Sequence, residues 1–157
     1  MVFDDCLKLA ASNRDYRFEA EYLPVLQEAF ERWLPGLAYT EIRLEGQGYV
    51  AIQLSASVEA EIAATMPDAP YLAWGLASLA YVMLRLKAAE LPGLRGYAGC
   101  LPLPPVDGKL AAALTEAGLW QNGRLNRQFC LFTYSPLSTE ENGCAGCALA
   151  AECPQLN

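Results

Sequence analysis

The residues best equipped for chemistry are cysteines near the end of the chain. They read Cys130-x13-Cys144-x2-Cys147-x5-Cys153, followed by Pro154. Four thiolates are the usual complement for an iron–sulfur cluster or a structural zinc. The Cys144-x2-Cys147 pair would bring two sulfurs onto one side of a tight turn, which Gly146 would let bend sharply. Cys153 closes over the same ion or cluster, and Cys130 must come from a neighbouring element. Cys100, in a loop rich in Gly and Pro, is the substitute fourth ligand. The competing reading is a set of free or redox-active thiols.

The residues between the ligands are Ala145-Gly146 and then Ala148 to Glu152, small and mostly apolar. Such residues suit packing against an inorganic sulfide core that excludes water. Zinc knuckles commonly have two Cys-x-x-Cys pairs with polar residues beside them. A proline after the last cysteine also recurs in bacterial ferredoxin motifs. Iron–sulfur is therefore expected ahead of zinc. Cys6 and Cys100 are each expected to be a small buried hydrophobe, with Cys100 a ligand only if Cys130 does not bind. Arg124 and Arg127 would offset thiolate charge, or else are solvated surface arginines. Trp120 precedes the cysteine-bearing strand and would shield a cluster.

Composition narrows the function classes. The chain has 157 residues, 54% of them hydrophobic and 18% charged, enough for one domain (1–157) with a real core and unlike a disordered segment. Its net charge of −7, with no Lys or Arg after Arg127, argues against nucleic acid. Histidine is absent, which removes Ser-His-Asp and Cys-His catalysis, Rieske ligation and His-containing zinc sites. No paired carboxylates, phosphate loop or dinucleotide fingerprint is present. The opening Met-Val-Phe-Asp-Asp-Cys is acidic where a signal peptide needs positive charge. The longest apolar run, Tyr71 to Leu84, is shorter than a membrane span. A cytoplasmic protein without a membrane span is expected, and in that compartment cysteines favour metal ligation over disulfides.

The elements that must position these cysteines follow from periodicity. Helices are expected from Asp4 to Ser12, with Phe3, Leu7 and Ala10 on one side, and from Glu19 to Trp33, with Pro24 in the first turn. Ile42 and Leu44, then Val50, Ile52 and Leu54, alternate with polar neighbours across Glu45-Gly46-Gln47-Gly48, a β-hairpin that needs a third strand or a helix over its apolar face. Ser57 would cap a helix from Val58 to Thr65. The longest helix, Tyr71 to Leu91, is apolar nearly all round. It belongs in the centre of the domain or at a homo-oligomer contact, with Tyr71, Trp74 and Tyr81, like Trp33, in the core. After a loop from Leu94 to Pro105, with an edge strand around Tyr97 to Leu101, Asp107 would cap a helix to Ala117, stopped by Gly118. A last strand from Leu125 to Tyr134 would carry Cys130. The fold class is α+β: helices packed on a small antiparallel sheet (1–127), with a cysteine-rich, cluster-binding tail (128–157).

The stretch Arg127-Gln128-Phe129-Cys130-Leu131-Phe132-Thr133-Tyr134, followed by Cys144-Ala145-Gly146-Cys147, resembles the C-terminal iron–sulfur segment of the ferric-siderophore reductase family. That family has an arginine shortly before a Cys-Cys pair, a Leu-aromatic stretch and then Cys-x-x-Cys. The resemblance implies a 2Fe-2S cluster delivering an electron to chelated ferric iron. Here Phe129 stands where one cysteine of the pair would be, the spacer is longer, and Cys153 is additional. Cys144-x2-Cys147-x5-Cys153 is also similar to the end of the four-iron loop in the endonuclease III class of DNA glycosylases. Their preceding cysteine would fall at Leu137, and this chain lacks their basic surface. The same spacing resembles the ending of nitrogenase molybdenum-donor proteins, whose histidines are absent here.

The expected function is single-electron transfer by an iron–sulfur oxidoreductase. Cys130, Cys144, Cys147 and Cys153 would hold the cluster, 4Fe-4S ahead of 2Fe-2S, with zinc as the alternative. The partner would be a redox protein or a ferric chelate. The alternative class is a non-enzymatic binding module or assembly factor, stabilised by a four-cysteine zinc site or a cluster and acting through helix 71–91.

Overall fold

The computed structural model describes residues 1–91, 94, 103–135 and 151. Among them are five helices and a small antiparallel sheet, an α+β arrangement as the periodicity indicates. Most of the expected tail (128–157), including Cys144, Cys147 and Cys153, lies outside the described residues, as do Cys100 and the expected edge strand around Tyr97 to Leu101. The chain divides into two compact units.

The first unit comprises Met1–Ala38, Gln53–Lys87 and Arg127–Cys130. Its helices are α1 (Phe3–Ala11), α2 (Leu23–Trp33), α3 (Ala56–Thr65) and α4 (Pro70–Glu90), the last running on past the unit's boundary. Asp5 reaches back to accept the Val2 N–H at 3.0 Å, satisfying a donor at the start of α1. Residues Ala20–Tyr22 form a single 3-10 turn before α2, so the expected helix from Glu19 begins four residues later. Pro24 sits in the first turn of α2, where its missing N–H removes no helical bond. Leu26, Ala29, Phe30 and Trp33 are buried at helical spacing. The cap of α3 is Ser55, not Ser57. The Ser55 hydroxyl accepts the Ser57 N–H at 3.3 Å, and the helix starts two residues earlier than expected.

Helix α4 carries buried Ala73, Leu76, Leu79, Ala80, Val82, Met83, Leu84 and Ala88. By length and composition it would suffice to cross a bilayer, but 56% of its most apolar window is already buried by the protein itself. Gly75 lies where a Cβ would stand 3.4 Å from the Arg17 carbonyl oxygen and 3.5 Å from Leu26, so a glycine inside this helix permits a close approach. The Arg17 segment is tied down there. Its N–H donates to Ser78 Oγ at 3.1 Å, and its guanidinium lies 4.9 Å from the centre of the Trp74 ring. The expectation of aromatic core residues fails on this face. Trp33 is 5% exposed, but Tyr71, Trp74 and Tyr81 are 63%, 46% and 43% exposed. Helical spacing shows that residues share a stripe, not that anything covers it.

The second unit comprises Tyr39–Ile52, Ala88–Asn126 and the described residues after Cys130. It holds most of a three-stranded sheet in the order β1 (Ala38–Leu44), β2 (Gln47–Gln53), β5 (Cys130–Ser135). The β1–β2 turn is only Glu45-Gly46, with φ of 50° and 80°, tighter than the four-residue turn expected. Positive φ at both positions matches the twist of the flanking strands. The third strand that the hairpin needs is β5. Tyr49 of β2 stacks on Phe132 of β5 with ring centres 5.9 Å apart, and lies 5.6 Å from Tyr134.

Helix α5 (Gly108–Glu116) is bounded as its sequence dictates. Asp107 accepts the Leu110 N–H at 2.9 Å. Gly118, at φ 74°, ends it: Gly118 N–H donates to Thr115 C=O at 3.0 Å and Leu119 N–H to Leu114 C=O at 2.8 Å, a Schellman motif with Leu119 and Leu114 both buried. A second hairpin then pairs β3 (Trp120–Gln121) with β4 (Arg124–Leu125) through Asn122-Gly123, with φ of 53° and 74°. The expected strand from Leu125 to Tyr134 is thus two strands. The residues between them leave the ladder, and the cysteine-bearing strand starts at Cys130.

Candidate metal centre

Cys130 is the first residue of β5 and the one proposed ligand within the described residues. The corner before it is held from several directions. Leu54 N–H donates to Phe129 C=O at 3.2 Å. Gln128 N–H donates to the Glu59 carboxylate, on the first turn of α3. The Phe129 ring is 1% exposed and meets the Tyr81 ring edge-on, centres 5.2 Å apart. An apolar side chain at 129 thus anchors the corner where the siderophore-reductase pattern has a cysteine.

The Cys130 side chain is half-buried. Burial pushes its thiol up to about 11; Arg127 opposes the shift and Glu59 adds to it. At neutral pH it is therefore a protonated thiol. Redox-active cysteines are held as thiolates by nearby positive charge or a helix N-terminus, and this site does not do that. A bound cation would supply the missing positive charge and displace the proton. A half-buried sulfur with a guanidinium nearby, in a chain without histidine, fits an all-sulfur ligand set.

Cys6 behaves differently. It is fully buried on α1, and burial, followed by Asp5, pushes its thiol up to about 12. This is the packed, inert cysteine expected at that position. Arg124 is exposed on β4, whereas Arg127 is half-buried and acts on Cys130, so the two arginines do not share a role. Trp120 is half-buried in β3. Among the described residues no cluster of three or more His, Cys, Asp or Glu side chains is placed to hold a metal.

Glu59 escaped the sequence reading. It stands 69 residues from Gln128, in a helix with a second glutamate, Glu61, and nothing in its local pattern marks it. Comparison of the chain with protein-family models, with characterised proteins and with solved structures finds no match.

Proposed function

We propose that this is a cytoplasmic iron–sulfur protein that transfers single electrons, with Cys130, Cys144, Cys147 and Cys153 as ligands to a 4Fe-4S cluster. The observation that carries the reading is the spacing Cys130-x13-Cys144-x2-Cys147-x5-Cys153 in a chain with no histidine. The half-buried Cys130 thiol, raised by burial, argues against a free redox thiolate, which surrounding positive charge would hold ionised. Bound there, a cluster supplies a one-electron couple. The chain's own part is to present four sulfurs, limit water at the half-buried Cys130, and place Arg127 near the sulfur to moderate the negative charge. The electron would pass to a redox partner protein or to a chelated ferric ion, reducing it to ferrous.

A second reading draws on the exposed aromatic residues Tyr71, Trp74 and Tyr81 of α4. Exposed aromatic side chains are frequent at protein contacts, so a binding module stabilised by a four-cysteine zinc site would use this face. The visible spectrum of anaerobically purified protein separates the two. The cluster reading expects brown protein with broad charge-transfer bands that bleach with dithionite. Colourless protein with one stoichiometric zinc would end it.

A further inference from the structure

We infer that Glu59 is a positioning residue for Cys130, acting through the Gln128 amide to fix where the first ligand sulfur is presented. The inference rests on the four-thiolate reading above. Cys130 is separated from the next cysteine by thirteen residues, so its position is not set by the Cys144-x2-Cys147 spacing. It must be set by its own element. Two main-chain groups of the residues just before it are hydrogen-bonded to residues distant in sequence: Phe129 C=O to the N–H of Leu54, just after β2, and Gln128 N–H to the Glu59 carboxylate of α3. The Leu54 bond and the buried Phe129 ring fix the depth of the corner. The Glu59 bond fixes the peptide two residues before the sulfur.

Glu59 is itself rooted. Ser55 caps α3, and an acidic side chain in the first turn is favoured by the helix dipole. Near a thiolate, a carboxylate is electrostatically adverse. Its use here is as an acceptor for a main-chain donor, with Arg127 offsetting the charge. An acceptor role has a clean signature, because glutamine retains the accepting oxygen and loses the charge.

The test compares wild type, Glu59→Ala and Glu59→Gln by amide hydrogen exchange and by release of bound metal to a strong chelator. In Glu59→Ala the Gln128 amide should exchange roughly fivefold faster, the scale of one lost, partly exposed hydrogen bond. Metal release should accelerate by a similar factor. Glu59→Gln should restore both. Unchanged exchange and release in a metal-bearing Glu59→Ala protein would overturn the positioning role alone. So would faster exchange spread along α3, which would make Glu59 a support of the helix. Wild-type protein carrying neither iron nor zinc would overturn the four-thiolate reading, and the positioning role with it.

Discussion

Cys6 and Cys130 carry the same functional group and have different fates. Both thiols are raised by burial, but Cys6 is sealed in a helical core while Cys130 is half-buried on a pinned corner. Cys130→Ser is therefore expected to abolish cluster binding, read as iron and acid-labile sulfide, whereas Cys100→Ser retains it. The opposite pattern would make Cys100 the fourth ligand. Cys6 has a pH signature. Below its ordinary value of 9 the thiol is protonated in folded and unfolded chains alike and confers no pH dependence. Above 9 the unfolded chain ionises and the folded chain resists until about 12, so stability falls as pH rises through this window. Metal-free protein should show a falling urea midpoint across that range, with a shallower slope in Cys6→Ala. Cys130 and Tyr49, both raised, add in the same direction and keep the slope from vanishing.

At the scale of elements, local chemistry decided where helices stop more reliably than where strands do. Asp107 and Gly118 bracket α5 as expected, because a side-chain cap and a positive-φ glycine act within a few residues. Asp107→Ala should lower stability by about 1 kcal/mol in urea unfolding, and Asp107→Asn should retain most of it. Equal losses in both variants would show that charge, not the accepted hydrogen bond, matters at this cap. The misplaced cap of α3 arose because Ser55 and Ser57 are both competent acceptors. Their hydroxyls lie 3.0 Å apart, and only the backbone path leaving β2 selects the first. The β3–β4 hairpin had its own signal, Asn122-Gly123, the dipeptide best suited to a two-residue turn with positive φ at both positions.

For the whole molecule, net charge bears on one class of partner. A net charge of −7, with Glu140, Glu141 and Glu152 in the cysteine segment and no basic residue after Arg127, opposes a phosphate backbone. No duplex DNA binding is expected by fluorescence anisotropy even at low salt, where screening is weakest. Micromolar binding that weakens steeply with added salt would show a basic patch gathered by folding and would restore a DNA-directed role.

The sequence by itself determined the α+β class, the order of the main elements and the all-sulfur character of the candidate ligand set. Each of these depends on periodicity, on capping chemistry or on residue type, all expressed within a short stretch of chain. Only the tertiary structure decided that the Tyr71, Trp74 and Tyr81 stripe of α4 stays partly in solvent, although Ser78 on the same stripe is buried where the Arg17 backbone crosses it. It also decided that β5 is the third strand of the sheet, and that Glu59 meets Gln128 just before Cys130. The physical reason is common to all three. What covers a face, pairs with a strand or accepts a main-chain donor is supplied by residues tens of positions away, and a local pattern holds no record of them.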